Sequence, residues 1–317
     1  NYRSHVLLCS HNGEKYIYSQ IESLIHQSKL IDCIHVYDFN SSDRTIEEVE
    51  KTREILINYS TIHLNVIQVR EKPGVNKSFF YALKDLSSKI KPGDHIFLCD
   101  QDDIWLPSKN ETVYKVFRNN LNLNSPIILH HDVYVVDKFL VKIKESYYDN
   151  SQKKILNSGH AFNHYFGLAI GHTICMNYIA ANRLSSIDYD KNILMYDWYW
   201  SSIIENLGFK YFIDKPLSKY RQHESNLIGA HLSVSKKGFR FLEFLDHTNN
   251  VAQQILLIRQ IEKESSICCL QDFVKFISEY KYFIFRLKNF KTLILRILID
   301  CQIIKNNSIH YLGKIFK

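Results

Sequence analysis

The sequence predicts an α/β fold, with a mostly parallel sheet and helices on both faces, followed by a helical basic extension. Short apolar runs alternate with segments of helical periodicity through the first half of the chain. Alternation on this scale implies right-handed strand–helix–strand units, which give parallel strands. Three predicted strands also end in polar residues, and ligands of such sheets bind beyond the carboxyl ends of the strands.

The predicted elements follow from the spacing of apolar side chains. Predicted strands cover residues 6–10, 34–38, 64–69, 96–99, 127–136, 170–176 and 211–220. Predicted helices of the first half cover residues 17–25, 46–55 and 79–86. Asp43 is placed to cap the second of these helices. From about residue 233 onward the pattern is helical.

The composition is that of a globular protein, with 45% hydrophobic and 23% charged residues in 317. The net charge of +7 is unevenly placed. Residues 232–317 contain 14 Lys and Arg against 7 Asp and Glu, so they carry the whole excess and residues 1–231 are neutral. This split is typical of a catalytic body, residues 1–231, joined to an electrostatic docking segment, residues 232–317.

The seven cysteines are scattered and include no CxxC pair, so neither a zinc motif nor a redox motif is predicted. Several lie in apolar runs, which is typical of free buried thiols in a reducing compartment. The chain shows no signal-peptide pattern and no apolar run long enough to span a bilayer. These features favour a cytoplasmic protein.

The polar strand ends point to one crevice. They comprise residues 10–14, 38–43 and 100–103. Asp100, Asp102 and Asp103 crowd three carboxylates into four positions, and such groups repel one another unless a cation or solvent is present. Two interpretations follow: a divalent metal that also binds substrate phosphates, or a solvated helix start.

Residues 99–107, CDQDDIWLP, resemble the acidic signature of family-two glycosyltransferases with the GT-A fold, in particular the rhamnosyltransferase-like branch. Further stretches resemble motifs of that family in the same order: 10–16, 38–45, 74–79, 197–198 and 220–226. The resemblance covers roughly residues 5–230. It implies a nucleotide-binding half at 1–105 and an acceptor half at 106–231.

The resemblance also implies roles for individual residues. Asp102 and His223 would bind a divalent metal, manganese or magnesium, and Asp197 would be the general base of an inverting transfer to a hydroxyl. Donor contacts would come from Ser10, His11, Glu14, Asp38, Lys77, Asp100, Gln101 and Arg221. Acceptor-side candidates are Trp105, His172 and Trp198. The acceptor would be a glycan, lipid-linked in surface polysaccharide synthesis of a bacterial type.

The sequence departs from the family pattern on the second strand. Phe39 follows Asp38 where the family has a second acid, and Asn40 replaces the usual glycine. One acidic contact to the donor is therefore lost. Deoxythymidine diphosphate rhamnose (dTDP-rhamnose) and a UDP-hexose both remain open as donors.

Simpler interpretations stand beside these roles. Asp197 fits an ordinary acid in the first turn of a helix, Lys77 fits a solvated helix residue, and the two tryptophans fit core positions. His130 and His131 point to opposite faces of a strand and are interpreted as structural.

The basic extension fits a solvated helical cap, a partner-binding element or an interfacial anchor on an anionic membrane. Two other functions compete with transfer: a non-catalytic nucleotide-sugar-binding protein, and a nucleic-acid-binding protein that uses the extension. The neutral body, without a Gly-rich RNA motif or a helix-turn-helix signature, counts against nucleic acid. The oligomeric state is not predicted.

Overall fold

The structure is a computed structural model, and it describes residues 2–59, 61–120, 124–157, 168–224 and 226. The predicted helical extension, residues 232–317, lies outside this part of the chain, as does the membrane or partner contact expected of it. Within the described residues the strands form one nine-stranded sheet.

The strands are β1 Ser4–Ser10, β2 Cys33–Phe39, β3 His63–Val69, β4 His95–Cys99, β5 Ile104–Trp105, β6 Ile127–Val136, β7 Lys142–Lys144, β8 Cys175–Asn177 and β9 Phe209–Arg221. The helices are α1 Ile17–Ile25, α2 Thr45–Leu56, α3 Val75–Ser87, α4 Lys109–Asn120, α5 Asn150–Asn157, α6 Tyr178–Ser185 and α7 Tyr196–Leu207. A 3-10 turn covers Gly171–Thr173.

The strand order is β3-β2-β1-β4-β8-β6-β9-β5, with β7 paired to β6. The first four strands are parallel. β8 then runs antiparallel to both β4 and β6, and β6 and β9 are again parallel. Since β1, β2 and β4 are parallel neighbours, their carboxyl ends meet at one edge, as the sequence predicts.

Two apolar layers cover the sheet, one on each face. Side chains of α3, α6 and α7 pack on one face, and side chains of α1, α2 and α4 pack on the other. Apolar residues on successive strand positions alternate between these layers, as Leu7 and Leu8 do. The predicted α/β class with helices on both faces is therefore confirmed.

Two local predictions need correction. The strand expected at 170–176 is the 3-10 turn followed by the short strand β8, because the backbone turns back on itself at Ile170, whose carbonyl accepts from Thr173 N–H at 2.9 Å. α2 begins at Thr45, so Asp43 lies one residue before the cap position. Its carboxylate still accepts a hydrogen bond from Thr45 N–H, at 3.0 Å.

Cys9, Cys33, Cys99 and Cys175 are free thiols, in agreement with the sequence interpretation. Among the described residues, no helix combines the length and apolarity that crossing a membrane requires.

Candidate functional site

The ends of β1 and β2 are joined through Asp38. Ser10 and Asp38 are register partners, and the Ser10 hydroxyl donates to Asp38 Oδ1 at 3.0 Å. Ser41 donates to the same carboxylate from its hydroxyl, at 2.5 Å, and from its backbone N–H, at 3.1 Å. Asp38 is 3% exposed, so these bonds hold a buried carboxylate at the edge of the crevice.

Gln101 joins the end of β4 to the loop after β1. Its Oε1 accepts from His11 N–H at 2.9 Å, and its Nε2 donates to the His11 carbonyl at 3.2 Å. Gly13 lies so close that a Cβ there would collide with the Gln101 amide. The His11 ring is held by the Phe39 carbonyl, 2.7 Å from Nδ1. Sequence motifs 10–14, 38–43 and 100–103 thus meet in one place.

Glu14 faces the start of α2. Its backbone N–H donates to Asp43 Oδ2 at 3.1 Å, and its carboxylate accepts from Arg44 N–H at 3.1 Å. The Glu14 carboxylate is 31% exposed and also lies 3.4 Å from the Arg44 side chain. It therefore lines the crevice, and its negative charge is already paired with Arg44.

Asp102 and His223, the two predicted metal ligands, lie together although 121 positions separate them. His223 Nε2 is 2.9 Å from Asp102 Oδ2. The His223 ring also packs on Tyr16, with 4.8 Å between ring centroids. The imidazole is therefore held between a carboxylate and an aromatic face.

Arg221 occupies a different environment from that expected of a diphosphate contact. It is only 5% exposed, and its Nε and Nη1 donate to the carbonyls of Asp102, at 2.8 Å, and Lys138, at 3.0 Å. Its backbone N–H donates to Asp103 at 3.0 Å, and its guanidinium lies over the Tyr16 ring at 4.6 Å. Two of the five N–H donors of the guanidinium thus bind backbone carbonyls, and little of the side chain is exposed to a ligand.

His172 lies beneath the acidic cluster. It is 1% exposed, and its Nδ1 is 3.0 Å from Asp103 Oδ2 and 3.6 Å from Asp100 Oδ2. Burial alone would lower the pKa of His172, but these two carboxylates raise it to about 9. Without a metal ion, this pKa favours a protonated ring at neutral pH, whose charge offsets that of the two carboxylates. The ring does not reach the surface, so the predicted acceptor contact at His172 would require the ring to move.

Asp103 does not lie at a solvated helix start, the simpler interpretation of the acidic cluster. It is 1% exposed and binds Arg221 N–H and His172 instead. The Asp100 carboxylate, by contrast, keeps 38% of its surface exposed and faces the crevice. The cluster is thus divided into exposed and buried acids, with Asp102 between them at 19%.

Asp197 lies in the first turn of α7 and contacts the 3-10 turn. Its two carboxylate oxygens accept from Gly171 N–H and Trp198 N–H, both at 2.7 Å. A Cβ at Gly171 would collide with the Tyr196 hydroxyl, so only glycine allows this approach. Desolvation raises the pKa of Asp197 to about 7, against these two hydrogen bonds and with a contribution from Asp100. A carboxyl of this kind can exchange a proton near neutral pH.

Trp105 is a core residue, as the simpler interpretation holds, and the predicted acceptor contact would require this side chain to leave the core. It is 2% exposed and packs between Phe97, at 5.1 Å between centroids, and Lys109, whose Nζ lies 3.7 Å from the centroid of its ring. Lys109 is fully buried and donates from Nζ to the His172 carbonyl at 2.8 Å. Desolvation lowers the pKa of Lys109 to about 7.

Two further predicted residues are more exposed. Lys77 lies in the first turn of α3, with its side chain 52% exposed and its Nζ 3.9 Å from Glu71. Trp198 is half-buried on α7, next to Asp197. Trp198 therefore lies beside Asp197 with part of its surface exposed, while Lys77 has the position of a solvated helix residue.

The pair His130 and His131 is buried in β6, as the structural interpretation holds. Asp132 is fully buried and binds Lys153 Nζ at 2.8 Å and the Ser146 hydroxyl at 2.5 Å. These bonds tie the segment after β7 to the sheet. Asp132 therefore has a structural position.

Sequence reasoning missed Lys109, Gly171 and Tyr16. No local signal marks Lys109 as buried, since it lies among polar residues at the start of a helix. Tyr16 lay inside a recognised motif, but its contact with His223 depends on the long-range pairing of β5 with β9.

The model of the family "Glycosyl transferase family 2" matches residues 5–179. The chain is 28% identical over 247 residues to the dTDP-rhamnosyl transferase RfbG of Shigella flexneri, covering 73% of this chain and 76% of that protein.

Solved structures share the fold. TarS of S. aureus, residues 1–349, in complex with UDP-GlcNAc, superposes with a TM-score of 0.55 at 17% identity, covering 90% of this chain and 76% of that one. The mannosyltransferase PcManGT from Pyrobaculum calidifontis, in complex with GDP-Man and Mn²⁺, superposes with a TM-score of 0.53 at 14% identity, covering 98% and 77%. The described sheet is thus that of GT-A glycosyltransferases.

Proposed function

The chain belongs to glycosyltransferase family 2, and we propose that it is an inverting, metal-dependent enzyme that moves a sugar from a nucleotide-sugar donor to a hydroxyl of a glycan acceptor. Residues 1–105 would bind the nucleotide and residues 106–231 the acceptor. The proposal is supported most directly by Asp197, a half-buried carboxyl with a pKa of about 7.

Asp197 suits the role of general base. A hydroxyl is a poor nucleophile, and a carboxylate that takes its proton as the new bond forms lowers the barrier. A pKa near 7 leaves a large ionised fraction at neutral pH and makes the ion a stronger base than an ordinary aspartate. Gly171 N–H and Trp198 N–H fix the orientation of the carboxylate. One base opposite a leaving diphosphate supports a single displacement, hence inversion.

Asp102 and His223 fit a divalent metal. The 2.9 Å between their ligand atoms is close to the separation of about 3 Å that neighbouring ligands have around an octahedral ion. Asp100 groups instead with Asp103 and His172, and one ligand atom from each of these three residues lies within 4.8 Å of the others. A carboxylate and imidazole set suits manganese better than magnesium. When bound, such an ion would neutralise charge that develops on the departing diphosphate.

Arg221 and His172 would then support this set rather than touch the donor. Arg221 fixes the backbone of Asp102 through its carbonyl, and His172 holds the buried Asp103. Ser10, Asp38 and Gln101 shape the nucleotide end of the crevice. We therefore assign positioning roles to Arg221, His172 and Gln101.

dTDP-rhamnose is the donor that we favour, since RfbG of Shigella flexneri is named as a dTDP-rhamnosyl transferase. A UDP-hexose is the alternative, since TarS was solved with UDP-GlcNAc. Phe39, which replaces an acid of the family pattern, is 2% exposed and belongs to the core. The nucleotide pocket would therefore depend on Asp38 alone at this point.

A lipid-linked acceptor in polysaccharide synthesis, met at the inner face of a membrane, is supported by the hairpin of residues 137–144. The hairpin exposes Phe139, Val141 and Ile143, by 75%, 62% and 44%. Lys138, Lys142 and Lys144 alternate with these apolar side chains. Such a mixture suits an anionic lipid interface. The Lys138 carbonyl binds Arg221, which connects the hairpin to the site.

The function is tested by nucleoside diphosphate release and by the anomeric configuration of the product, measured with dTDP-rhamnose and UDP-hexoses on a lipid-linked glycan acceptor. Asp197→Asn should lower turnover by about 10²–10⁴-fold, the typical share of a general base. Asp188→Asn is the matched control, because Asp188 is 90% exposed and pairs with Lys84 on the surface. Full activity of Asp197→Asn would refute the assignment.

A further inference from the structure

Three metal-ligating side chains lie together at the amino ends of the strands, at the edge opposite the crevice. His5 on β1 and Cys33 on β2 are register partners, and His35 lies two residues after Cys33. Partners in register share a face, and so do residues two apart on a strand. The three residues are 5%, 6% and 7% exposed. They therefore form one nearly buried cluster on the α3 face of the sheet.

The ligand atoms are close enough for one ion. His5 Nδ1 and His35 Nε2 are 3.1 Å apart, and one ligand atom from each of His5, Cys33 and His35 lies within 4.8 Å of the others. Two nitrogens on a tetrahedral zinc ion, each at about 2.0–2.1 Å, are separated by about 3.3 Å. The pair is thus arranged as two ligands of one ion would be.

Each imidazole is also supported on its other nitrogen. Asp94 Oδ2 is 3.3 Å from His5 Nε2, and Asp94 is itself fixed by Arg3 N–H at 3.0 Å and Lys91 N–H at 2.8 Å. The Asn65 side-chain Nδ2 lies 3.4 Å from His35 Nδ1, and a flip of this amide would present its oxygen as the acceptor that a metal-bound His35 needs. Histidines that bind metals almost always have such a partner, which fixes the ring and its tautomer.

A metal binds imidazole in its neutral form and a thiol as the thiolate. The cluster therefore offers two nitrogens and one sulfur, and Cys33 would release its proton on binding.

We propose that His5, Cys33 and His35 bind a zinc ion that ties β1 to β2. His63 on β3 is the register partner of Cys33 on its other side, is exposed, and supplies a fourth ligand after a change of rotamer. A thiolate with imidazoles selects zinc over manganese or magnesium. The sequence offers no CxxC motif because strand register, not local spacing, assembles this site.

The zinc site is independent of the proposed transferase chemistry. Five residues of β1 separate His5 from Ser10, about 16 Å at the usual strand rise. Its ion would be structural, holding together the amino ends of three strands. Zinc should therefore raise the unfolding temperature of the full chain, as any ligand specific to the folded state does.

Cobalt substitution tests the proposal on the full chain. The chain is stripped with a chelator, titrated with Co²⁺ and followed by absorption. We expect a sulfur-to-cobalt charge-transfer band together with strong visible bands of a tetrahedral ion, both displaced by zinc. Cys33→Ser should remove the charge-transfer band. Asp94→Asn should keep the band and weaken cobalt binding by about 10–100-fold.

Cys9→Ser is the matched control, since Cys9 lies on β1 at the opposite edge and should leave the band intact. Cobalt bound at Asp102 and His223 would give no sulfur-to-cobalt charge-transfer band, and this binding would persist in Cys33→Ser. The spectra therefore distinguish the two sites. Absence of the band in the wild-type chain, or its survival in Cys33→Ser, would overturn the proposal.

Discussion

Asp197 shows how packing changes the chemistry of one side chain. The residue lies in the first turn of a helix, where an acid is ordinarily stabilised as the anion. Desolvation outweighs this effect and the two backbone hydrogen bonds, so that the pKa is raised to about 7. The same aspartate that would be a helix-start acid on an open surface thus becomes suited to proton transfer.

The pH dependence of turnover follows from this pKa. A base acts in its ionised form, so kcat/KM for the acceptor should be constant above about pH 7 and fall about tenfold per unit below it. Donor affinity, measured across the same range by calorimetry, separates this effect from protonation of metal ligands. A profile that is flat down to pH 5 would show that Asp197 is not the base.

Residue roles can be predicted from the sequence where a family motif assigns them. They cannot be predicted where burial in the fold determines what a side chain contacts. The proximity of Asp102 to His223 follows from two motifs of the resemblance, although 121 positions lie between them. Trp105 and His172 also lie in or near motifs, yet they are 2% and 1% exposed. Nothing in the order of residues distinguishes a side chain facing the crevice from one facing the core.

At the scale of elements, the 3-10 turn connects the two sides of the site. Gly171 N–H binds Asp197, the His172 ring binds Asp103, and the His172 carbonyl accepts from Lys109 on α4. A shift of this turn would therefore move the base and the acidic cluster together. Lys109 anchors the turn from within the core.

Lys109→Met should disturb the 3-10 turn without changing any residue that we propose to bind the metal or the donor. The change leaves the buried His172 carbonyl without its donor, which costs about 1–3 kcal/mol of unfolding free energy. We expect a lower kcat with donor affinity nearly unchanged, measured by steady-state kinetics and calorimetry. Lys115→Met on the same helix is the control, since Lys115 is exposed and pairs with Glu111. Equal effects of both changes would contradict the anchor role.

The hairpin of residues 137–144 makes a separate prediction. Asp137 Oδ1 accepts from Phe139 N–H and Val141 N–H, both at 2.9 Å, so the tip is held in shape while its apolar side chains face outward. Phe139→Ser with Val141→Ser should reduce sedimentation of the full chain with anionic vesicles several-fold. Ile57→Ser, which removes another apolar side chain with 79% exposure, should have no effect. Equal vesicle binding by all three proteins would exclude the hairpin as a contact.

Helices and strands are predicted correctly where the apolar periodicity extends over a long segment. The prediction fails where tertiary contacts determine the backbone conformation. The four parallel strands and their helices follow from alternating periods, and the predicted strand at 127–136 matches β6. The 3-10 turn was predicted as strand because Ile170 and Ile174 resemble strand residues. Its shape depends on Gly171 passing close to Tyr196, a contact with α7 that no local pattern encodes.

At the scale of the whole molecule, one sheet places two separate sets of ligating side chains at opposite edges. The carboxyl edge gathers Asp102 and His223, with Asp100, Asp103 and His172 nearby, and the amino edge gathers His5, Cys33 and His35. The first set is suited to a hard ion with a phosphate ligand, and the second to zinc. The difference comes from residue chemistry and from position, since Asp102 and His223 follow β4 and β9 whereas the second set lies on β1 and β2.

We propose that a nucleotide sugar binds this chain through a metal held by Asp102 and His223. The most direct test is a thermal-shift panel of nucleotide sugars with Mn²⁺ on the wild-type chain, Asp102→Ala and Asp197→Asn. The account predicts that one donor, dTDP-rhamnose before a UDP-hexose, stabilises the wild type and Asp197→Asn by about 2.7 kcal/mol at a hundredfold excess over Kd. It predicts no shift in Asp102→Ala or without metal. An equal, metal-independent shift in all three proteins would contradict it.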